Sequence, residues 1–325
     1  MIPHSRPTIF KKDIEPINGV IESNIIASSD ISKNFRSKFG EFSGKEYVFL
    51  YSSGTHALYE LLLSLEIEKG SDVLIPSYIC PSVKKAIEKV GSNPVFYDNK
   101  KNCWISSYKQ IKKSVTPNTK LIILNHTFGI RYKDTEIKKI KQLNIPIIED
   151  NAHFISGYKE DIEISNMFLA SFYSFHATKL LTTGEGGAIT TNDKYLAKKI
   201  EENKLCNGMS DINATLGILQ LERYNDFLQR RKEIAEIYLS KIKNTKKLDS
   251  IYFRFPILTD NVRLFLNSKK VSFRRGVDLI LKELPNTKIV YDKTISIPIY
   301  PSLSRDDIEI IIDESNKILG IEDEN

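Results

Sequence analysis

Two side chains with catalytic potential follow strand-like segments of the sequence. Asp150 lies just beyond the apolar run at 145–148, and Lys179 lies between the aromatic segment 171–175 and a glycine-dense loop at 182–187. A lysine amine is a nucleophile and a proton carrier, and a carboxylate stabilises a nearby cation. Taken singly, Asp150 could equally cap the end of a strand, and Lys179 could be a solvated cation.

A third segment, residues 52–58 with the sequence SSGTHAL, stands between an apolar run and a helical pattern. Small residues at such a turn leave backbone N–H groups exposed at the positive end of the helix, which suits an anion such as phosphate. The alternative is an ordinary N-cap and turn. The sequence contains neither the GxGxxG pattern of a dinucleotide site nor the GxxxxGK[ST] pattern of a P-loop.

Together these features combine an anion site, a carboxylate and a lysine, which are the three partners that pyridoxal 5'-phosphate needs. The anion site anchors the phosphate, the carboxylate keeps the ring nitrogen protonated, and the lysine amine holds the aldehyde as a Schiff base. The residues themselves therefore indicate a pyridoxal-phosphate site.

The elements that must position these residues alternate between short apolar runs and helical patterns. Strands are predicted at 47–51, 72–76, 94–98, 121–126, 146–149, 170–175 and 187–191, and helices at 55–66, 81–90 and 133–143. This alternation, with strands rich in Val, Ile and Leu, indicates an α/β fold with a mainly parallel central sheet sandwiched by helices. Ligands of such sheets bind beyond the carboxyl ends of the strands, where Asp150 lies.

The pattern changes after Asp193. Apolar residues at spacings of three and four predict one long connecting helix at about 212–242. Strand-like segments at 252–258 and 295–300 then precede an amphipathic helix, which begins after Ser304 with a capping-box-like sequence. We therefore predict a large domain at 1–225 and a small C-terminal α+β domain at 226–325.

Composition limits the class of protein. The 325 residues are 41% hydrophobic and 27% charged with a net charge of +6, which is typical of soluble globular proteins. The apolar runs are shorter than the ~20 residues of a membrane helix, and the N-terminus lacks the layout of a signal peptide. Three cysteines without a CxxC pair argue against a disulfide framework and a zinc site. We expect a cytoplasmic protein with no metal, no membrane contact and no nucleic-acid partner.

The sequence resembles a known family over nearly its whole length. The resemblance is to the DegT/StrS nucleotide-sugar aminotransferases, which are fold-type I pyridoxal-phosphate enzymes. The matching segments occur in the family's order: PTI (7–9), SSGTHAL (52–58), DVLIPSYICPS (72–82), NPVFYD (93–98), TKLIILNHTFG (119–129), IPIIEDNAH (145–153), SFYSFHATKLLTTGEGGAITTND (171–193), MSDINATLGILQLERY (209–224) and ISIPIYPSLSRDD (295–307). The segment around SFHATK and TTGEGG is the most specific of these.

The resemblance implies a role for particular residues. Lys179 matches the lysine that forms the Schiff base and then acts as general base and acid. Asp150 matches the partner of the pyridinium nitrogen, and His153 matches a position near the cofactor hydroxyl. The resemblance assigns no role to His126, which lies at a strand end and is either structural or close to the site.

The resemblance also implies how the phosphate is held. Gly54, Thr55 and Ser174 match positions that bind it within one subunit. The family's asparagine, which reaches the phosphate of the partner subunit, aligns with Cys206, and Asn207 stands one residue away as the candidate for that role.

The chain departs from the family at two further places. Cys80 replaces an aromatic residue that stacks on the cofactor ring, so Tyr78, His153 or no residue takes that role. Only residues 194–208 separate Asp193 from Met209, which is fewer than usual in a region that shapes the substrate pocket.

By this resemblance the protein is a homodimeric aminotransferase with shared active sites. It would move an amino group from an amino acid, with glutamate the expected donor, to a nucleotide-linked keto-sugar, in amino-sugar biosynthesis for a surface polysaccharide or a glycosylated metabolite. Two alternatives stay open. A related sugar dehydratase is one, although such relatives replace the lysine with histidine. A degenerate module that binds the cofactor without turnover is the other.

Overall fold

A seven-stranded sheet forms the centre of the protein. The computed structural model describes residues 1–155, 158–204 and 208–320. The strands of the sheet are β1 (Tyr47–Tyr51), β2 (Asp72–Pro76), β3 (Asn93–Tyr97), β4 (Thr119–Asn125), β5 (Ile147–Asp150), β6 (Ala170–Ser174) and β7 (Gly187–Thr191). Their order is β1-β7-β6-β5-β4-β2-β3, and all neighbours are parallel except that β7 runs antiparallel to β1 and β6. The predicted strands are confirmed to within one or two residues at each end.

Helices cover both faces of this sheet. The α-helices are α1 (Ile14–Glu22), α2 (Asp30–Ser43), α3 (Gly54–Ser64), α4 (Pro81–Lys89), α5 (Tyr108–Ser114), α6 (Asp134–Lys141), α7 (Lys159–Ser165), α8 (Lys194–Asn203), α9 (Asp211–Glu222), α10 (Tyr224–Lys241), α11 (Val262–Leu266), α12 (Pro285–Lys293) and α13 (Arg305–Ile318). No helix in the described part of the chain is long and apolar enough to cross a membrane.

Alternate residues of the strands enter two different cores. Leu121 and Ile123 of β4 pack with α3, α4 and α8, whereas Ile122 and Leu124 pack with α5 and α6. Successive side chains of a strand point to opposite faces, so a strand covered on both sides is apolar throughout. This explains why β4 reads as one continuous apolar run. The predicted α/β sandwich is confirmed.

The prediction of one long helix at 212–242 is wrong, because α9 ends at Glu222 and α10 begins at Tyr224. Arg223 between them leaves the helical conformation, with φ −108° and ψ 7°. Its guanidinium forms two hydrogen bonds with the buried carboxylate of Asp13, at 2.6 and 2.9 Å. This contact joins residues 210 positions apart, and helical periodicity carries no information about it.

The C-terminal part has a core of its own. Strands β8 (Phe255–Leu258) and β9 (Thr294–Ile297) pair antiparallel, and α10, α11 and α13 pack with them around Phe255, Phe265 and Ile311. The predicted capping box is present, because Ser304 and Asp307 exchange hydrogen bonds at the start of α13. Ile2 from the N-terminus also enters this core. The division into domains at residue 225 stays a prediction.

Candidate active site

A cavity of about 200 Å³ opens at the carboxyl ends of β4 and β5. Parallel strands place their carboxyl ends at one edge of the sheet, which is where ligands of such folds bind. The cavity brings together Lys179, Asp150 and His153, the three residues that the sequence predicts around the cofactor ring. It is also lined by Tyr78, Ile79, Cys80, Pro81, Asn125, His126, Thr127, Ala152, Gly276, Val277 and Asp278.

Asp150 is the last residue of β5 and is buried. One carboxylate oxygen accepts a hydrogen bond from the backbone N–H of Ala152 at 2.9 Å. Burial raises the pKa of Asp150 to about 6, and the Ala152 N–H and the charge of Lys179 offset part of that increase. Because this carboxylate is removed from water, a cationic partner such as a protonated ring nitrogen would stabilise its charged form.

Lys179 lies in the turn that follows β6 and is half-buried. The turn is closed by two backbone hydrogen bonds, from Lys179 N to His176 O and from Thr183 N to Phe175 O, both at 2.9 Å. Burial lowers the pKa of Lys179 to about 8; the charge of Asp150 opposes this shift and that of Arg254 adds to it. Roughly a quarter of such amines are neutral at pH 7.5, against about 0.1% at the ordinary lysine pKa. The amine is therefore prepared to act as a nucleophile.

His153 stacks on the ring of Phe253, with centroids 4.3 Å apart and planes 22° apart. Burial lowers its pKa well below the ordinary value, and the charges of Lys179 and Arg254 lower it further. The imidazole is therefore neutral at neutral pH. The amine of Lys179 also lies over the Phe253 ring, 5.4 Å from its centroid.

Phe253 and Arg254 are residues of this region that the sequence reasoning missed. The guanidinium of Arg254 lies over the Phe253 ring, with its carbon 4.5 Å from the ring centroid. They come from the segment before β8, about a hundred positions from His153. In the sequence, Arg254 is a cationic residue between two aromatic residues of a strand-like stretch. That pattern does not indicate a site, because the contact with His153 forms only when the chain folds.

The predicted anion site lies at the N-terminus of α3, beside the end of β6. Ser53 caps the helix by accepting a hydrogen bond from the N–H of His56 at 3.1 Å. A Cβ added to Gly54 would lie 2.8 Å from the Cβ of Ser174, so the absence of a side chain lets helix and strand meet. Thr55 is exposed at the same turn. The strand β6 that carries Ser174 is the direct neighbour of β5, which carries Asp150.

The structure thus brings Gly54 and Ser174 into contact, one strand away from the cavity. Neither they nor Thr55 are among the residues that line the cavity in the described part of the chain. Asn207 and Cys206 lie outside the described residues. Cys80 is exposed at the cavity, with its sulfur 3.1 Å from the hydroxyl of Ser82.

A second carboxylate, Glu149, is buried next to Asp150 and was also missed. It accepts hydrogen bonds from His126 at 2.9 Å, Ser171 at 2.7 Å and Ser165 at 2.9 Å. The other ring nitrogen of His126 faces the carbonyl oxygen of Ile130 at 3.1 Å. Each ring nitrogen of His126 thus faces one oxygen, that of Glu149 or that of Ile130. His126 is therefore structural and also close to the site, because it lines the cavity while it holds Glu149.

These residues fit pyridoxal phosphate. The cavity carries a desolvated amine, a desolvated carboxylate and an unsatisfied acceptor, since Oδ1 of Asn125 has no hydrogen-bond partner among the described residues. Such an orphaned buried oxygen indicates a missing donor. The glycine-lined N-terminus of α3 beside β6 supplies backbone N–H groups for an anion.

Comparison with known proteins agrees with this interpretation. The chain is 29% identical over 357 aligned positions to "GDP-perosamine synthase" of Escherichia coli O157:H7, covering 97% of this chain and 98% of the relative. It is 27% identical to "Spore coat polysaccharide biosynthesis protein SpsC" of Bacillus subtilis (strain 168), covering 98% and 97%. The alignment with the synthase is longer than the chain, so this protein lacks residues that its relative has.

The fold is also that of a solved relative. NtdA from Bacillus subtilis, a structure with bound pyridoxamine phosphate, superposes with a TM-score of 0.87 at 20% identity, covering 96% of this chain and 83% of that one. The profile of the DegT/DnrJ/EryC1/StrS aminotransferase family matches residues 7–254. The chain therefore belongs to the DegT/DnrJ/EryC1/StrS family, and is a sugar aminotransferase whose cofactor is pyridoxal phosphate.

Proposed function

We propose that this protein transfers an amino group from an amino acid, glutamate in the first instance, to a keto-sugar carried on a nucleotide. The observation that supports this most is the pairing of Lys179 and Asp150 in one cavity, each with a pKa shifted by burial. Perturbed pKa values that arise from burial and a charged neighbour are typical of catalytic groups.

Each side chain of the site has a distinct task. Pyridoxal phosphate supplies the electron-withdrawing ring when it is bound. Lys179 would hold the cofactor, and its Nζ would accept the proton from the α-carbon of the donor as general base and give it back as general acid. Asp150 would pair with a protonated ring nitrogen, and His153 would contribute a neutral ring near the bound cofactor.

The phosphate is held by residues outside this cavity. Gly54 and Thr55 offer backbone and side-chain donors at the start of α3, and Ser174 adds its hydroxyl from β6. Asn207 is proposed to reach the phosphate of the partner subunit's cofactor. The close packing of Gly54 against Ser174 supports the proposal that both residues contact the same phosphate.

The choice of acceptor rests on the relatives and on the size of the cavity. The E. coli relative is named "GDP-perosamine synthase", which contains a nucleotide, GDP. The cavity of about 200 Å³ is smaller than the ~300–1,000 Å³ that encloses a drug-sized ligand, so it is too small to enclose a whole nucleotide-linked sugar. The net charge of +6 favours a diphosphate-linked substrate. The product would serve polysaccharide or glycosylated-metabolite synthesis.

A homodimer with shared sites is part of this proposal. The N-terminal segment around α1 exposes a stripe of large apolar side chains, each at least 43% accessible: Ile9, Phe10, Ile14, Ile21, Ile25 and Ile26. Monomers rarely leave a contiguous apolar patch open, so a second copy is the occupant that a shared active site requires. The free thiols of Cys80 and Cys103 support a reducing compartment, and we place the enzyme in the cytoplasm.

Addition of glutamate to the protein loaded with pyridoxal phosphate tests the proposal. The cofactor absorption should change to that of pyridoxamine phosphate, with one 2-oxoglutarate released per site. An unchanged spectrum with every amino acid tried would favour the degenerate module. A protein that consumes a nucleotide-linked sugar by loss of water, without amino-group transfer, would favour the dehydratase, against which Lys179 argues.

A further inference from the structure

Arg254 is a desolvated cation at the edge of the candidate active site, and its side-chain hydrogen bonding within the described residues involves no carboxylate. Its guanidinium lies over the Phe253 ring, and Nη1 donates to Nδ1 of His4 at 3.2 Å. Within residues 1–155, 158–204 and 208–320, no ion pair includes Arg254. Burial lowers the pKa of His4 well below its ordinary value, so this neutral imidazole accepts the hydrogen bond without neutralising the guanidinium.

The charges around Arg254 are also positive. Burial, followed by the neighbouring charges of Arg231 and Arg274, lowers the pKa of Arg254 to about 9. In the part of the chain that the structure describes, Arg231 is itself bound to backbone carbonyl oxygens, including that of Phe253 at 3.3 Å, and to no acid. Holding a desolvated guanidinium among other cations is unfavourable unless an anion completes the site.

The position of Arg254 indicates which anion this is. Arg254 and Lys179 lie over the same Phe253 ring, with 4.5 Å from guanidinium carbon to centroid and 5.4 Å from amine to centroid. The two cationic groups are thus no farther apart than the sum of those distances. An α-amino acid carries its carboxylate one carbon from its amine, and a planar carboxylate matches the fork of a guanidinium.

We propose that Arg254 binds the α-carboxylate of the amino-acid donor while its amine reacts at the position of Lys179. This inference rests on the proposed function. The residue selects donors that carry an α-carboxylate and orients them over the Phe253 ring. Arg231 positions Arg254 by holding the carbonyl oxygen of the preceding residue.

The test compares Arg254→Gln, Arg254→Lys and the control Arg274→Gln, which removes a nearby exposed positive charge that does not stack on Phe253. The first measurement is the reaction of loaded enzyme with glutamate in the absence of any sugar. Arg254→Gln should lower its kcat/KM on the order of 100-fold, mainly through a higher saturation constant, because a desolvated charged hydrogen-bonded pair is lost. Arg254→Lys should restore part of the loss, and the control should stay within a few-fold of the wild type.

The second measurement is calorimetric binding of α-methylglutamate, which has both charged groups of the donor but no α-proton to lose. Binding should weaken by a similar factor in Arg254→Gln, and retained cofactor attachment to Lys179, seen by mass spectrometry, excludes a folding defect. Equal binding by wild type and Arg254→Gln would overturn the assignment, whether or not the enzyme turns over. A wild-type protein that binds α-methylglutamate through Arg254 but converts no amino acid would contradict the proposed function alone.

Discussion

Replacement of Asp150 by asparagine should stabilise the cofactor-free protein while it disables the cofactor site. Burial raises the pKa of this carboxyl from its ordinary 3.8 to about 6, so the folded state holds the proton more tightly than the unfolded chain does. At 1.36 kcal/mol per pKa unit, this lowers the free energy of unfolding by about 3 kcal/mol. The loss develops as the pH rises from about 4 to about 6 and is complete above that range.

Asp150→Asn removes this cost and keeps the oxygen that accepts the Ala152 N–H. Urea denaturation of the cofactor-free protein should therefore show a variant about 3 kcal/mol more stable than the wild type at pH 8, and a much smaller difference near pH 4. Asp313→Asn, an exposed site on α13, is the control and should show no such pH dependence.

The cofactor should reverse the ranking of the two proteins. A protonated ring nitrogen offers Asp150 the cationic partner that it lacks, so saturating pyridoxal phosphate should stabilise the wild type more than Asp150→Asn. A stability difference between the two proteins that is the same at pH 4 and pH 8 would refute the desolvation of this carboxyl.

Three further predictions concern the surroundings of the site. Glu149→Gln should lower the free energy of unfolding by about 3 kcal/mol or more, because it leaves the buried His126 without its charged partner; urea denaturation measures this, and a loss below 1 kcal/mol would contradict it. Gly54→Ala should weaken equilibrium binding of pyridoxal phosphate by about 10-fold, since the added Cβ meets Ser174 at 2.8 Å and displaces the start of α3; unchanged affinity would argue against a phosphate site there. The rate at which the cofactor-free protein captures pyridoxal phosphate should increase with pH through about 8 as Lys179 loses its proton, and a rate independent of pH between 6.5 and 9 would be inconsistent with a titrating amine.

The sheet could be predicted from the sequence because its signal is local. The central strands β2 and β4 each contain a short apolar run, and the burial of β4 on both faces requires such a run. The turn that carries Lys179 was recognisable for a similar reason, because the reactive lysine and the glycine-dense loop beside it are contiguous in the sequence.

What the sequence could not show depends on contacts between distant segments. Arg223, at the break between α9 and α10, is bound by Asp13, and His153 stacks on Phe253. Arg254 looks like an ordinary surface cation until the fold buries it beside other cations. Periodicity reports which face of an element is apolar, but not which residue of another element meets it.

The central claim is that Lys179 carries the cofactor, and covalent capture tests it most directly. Borohydride reduction of the protein loaded with pyridoxal phosphate, followed by peptide mass spectrometry, should find the cofactor on the peptide that contains Lys179. Lys179→Ala should lose both the visible cofactor absorption and the labelled peptide, whereas Lys198→Ala, at an exposed position of α8, should keep both. Capture at another lysine, or full capture by Lys179→Ala, would contradict the account.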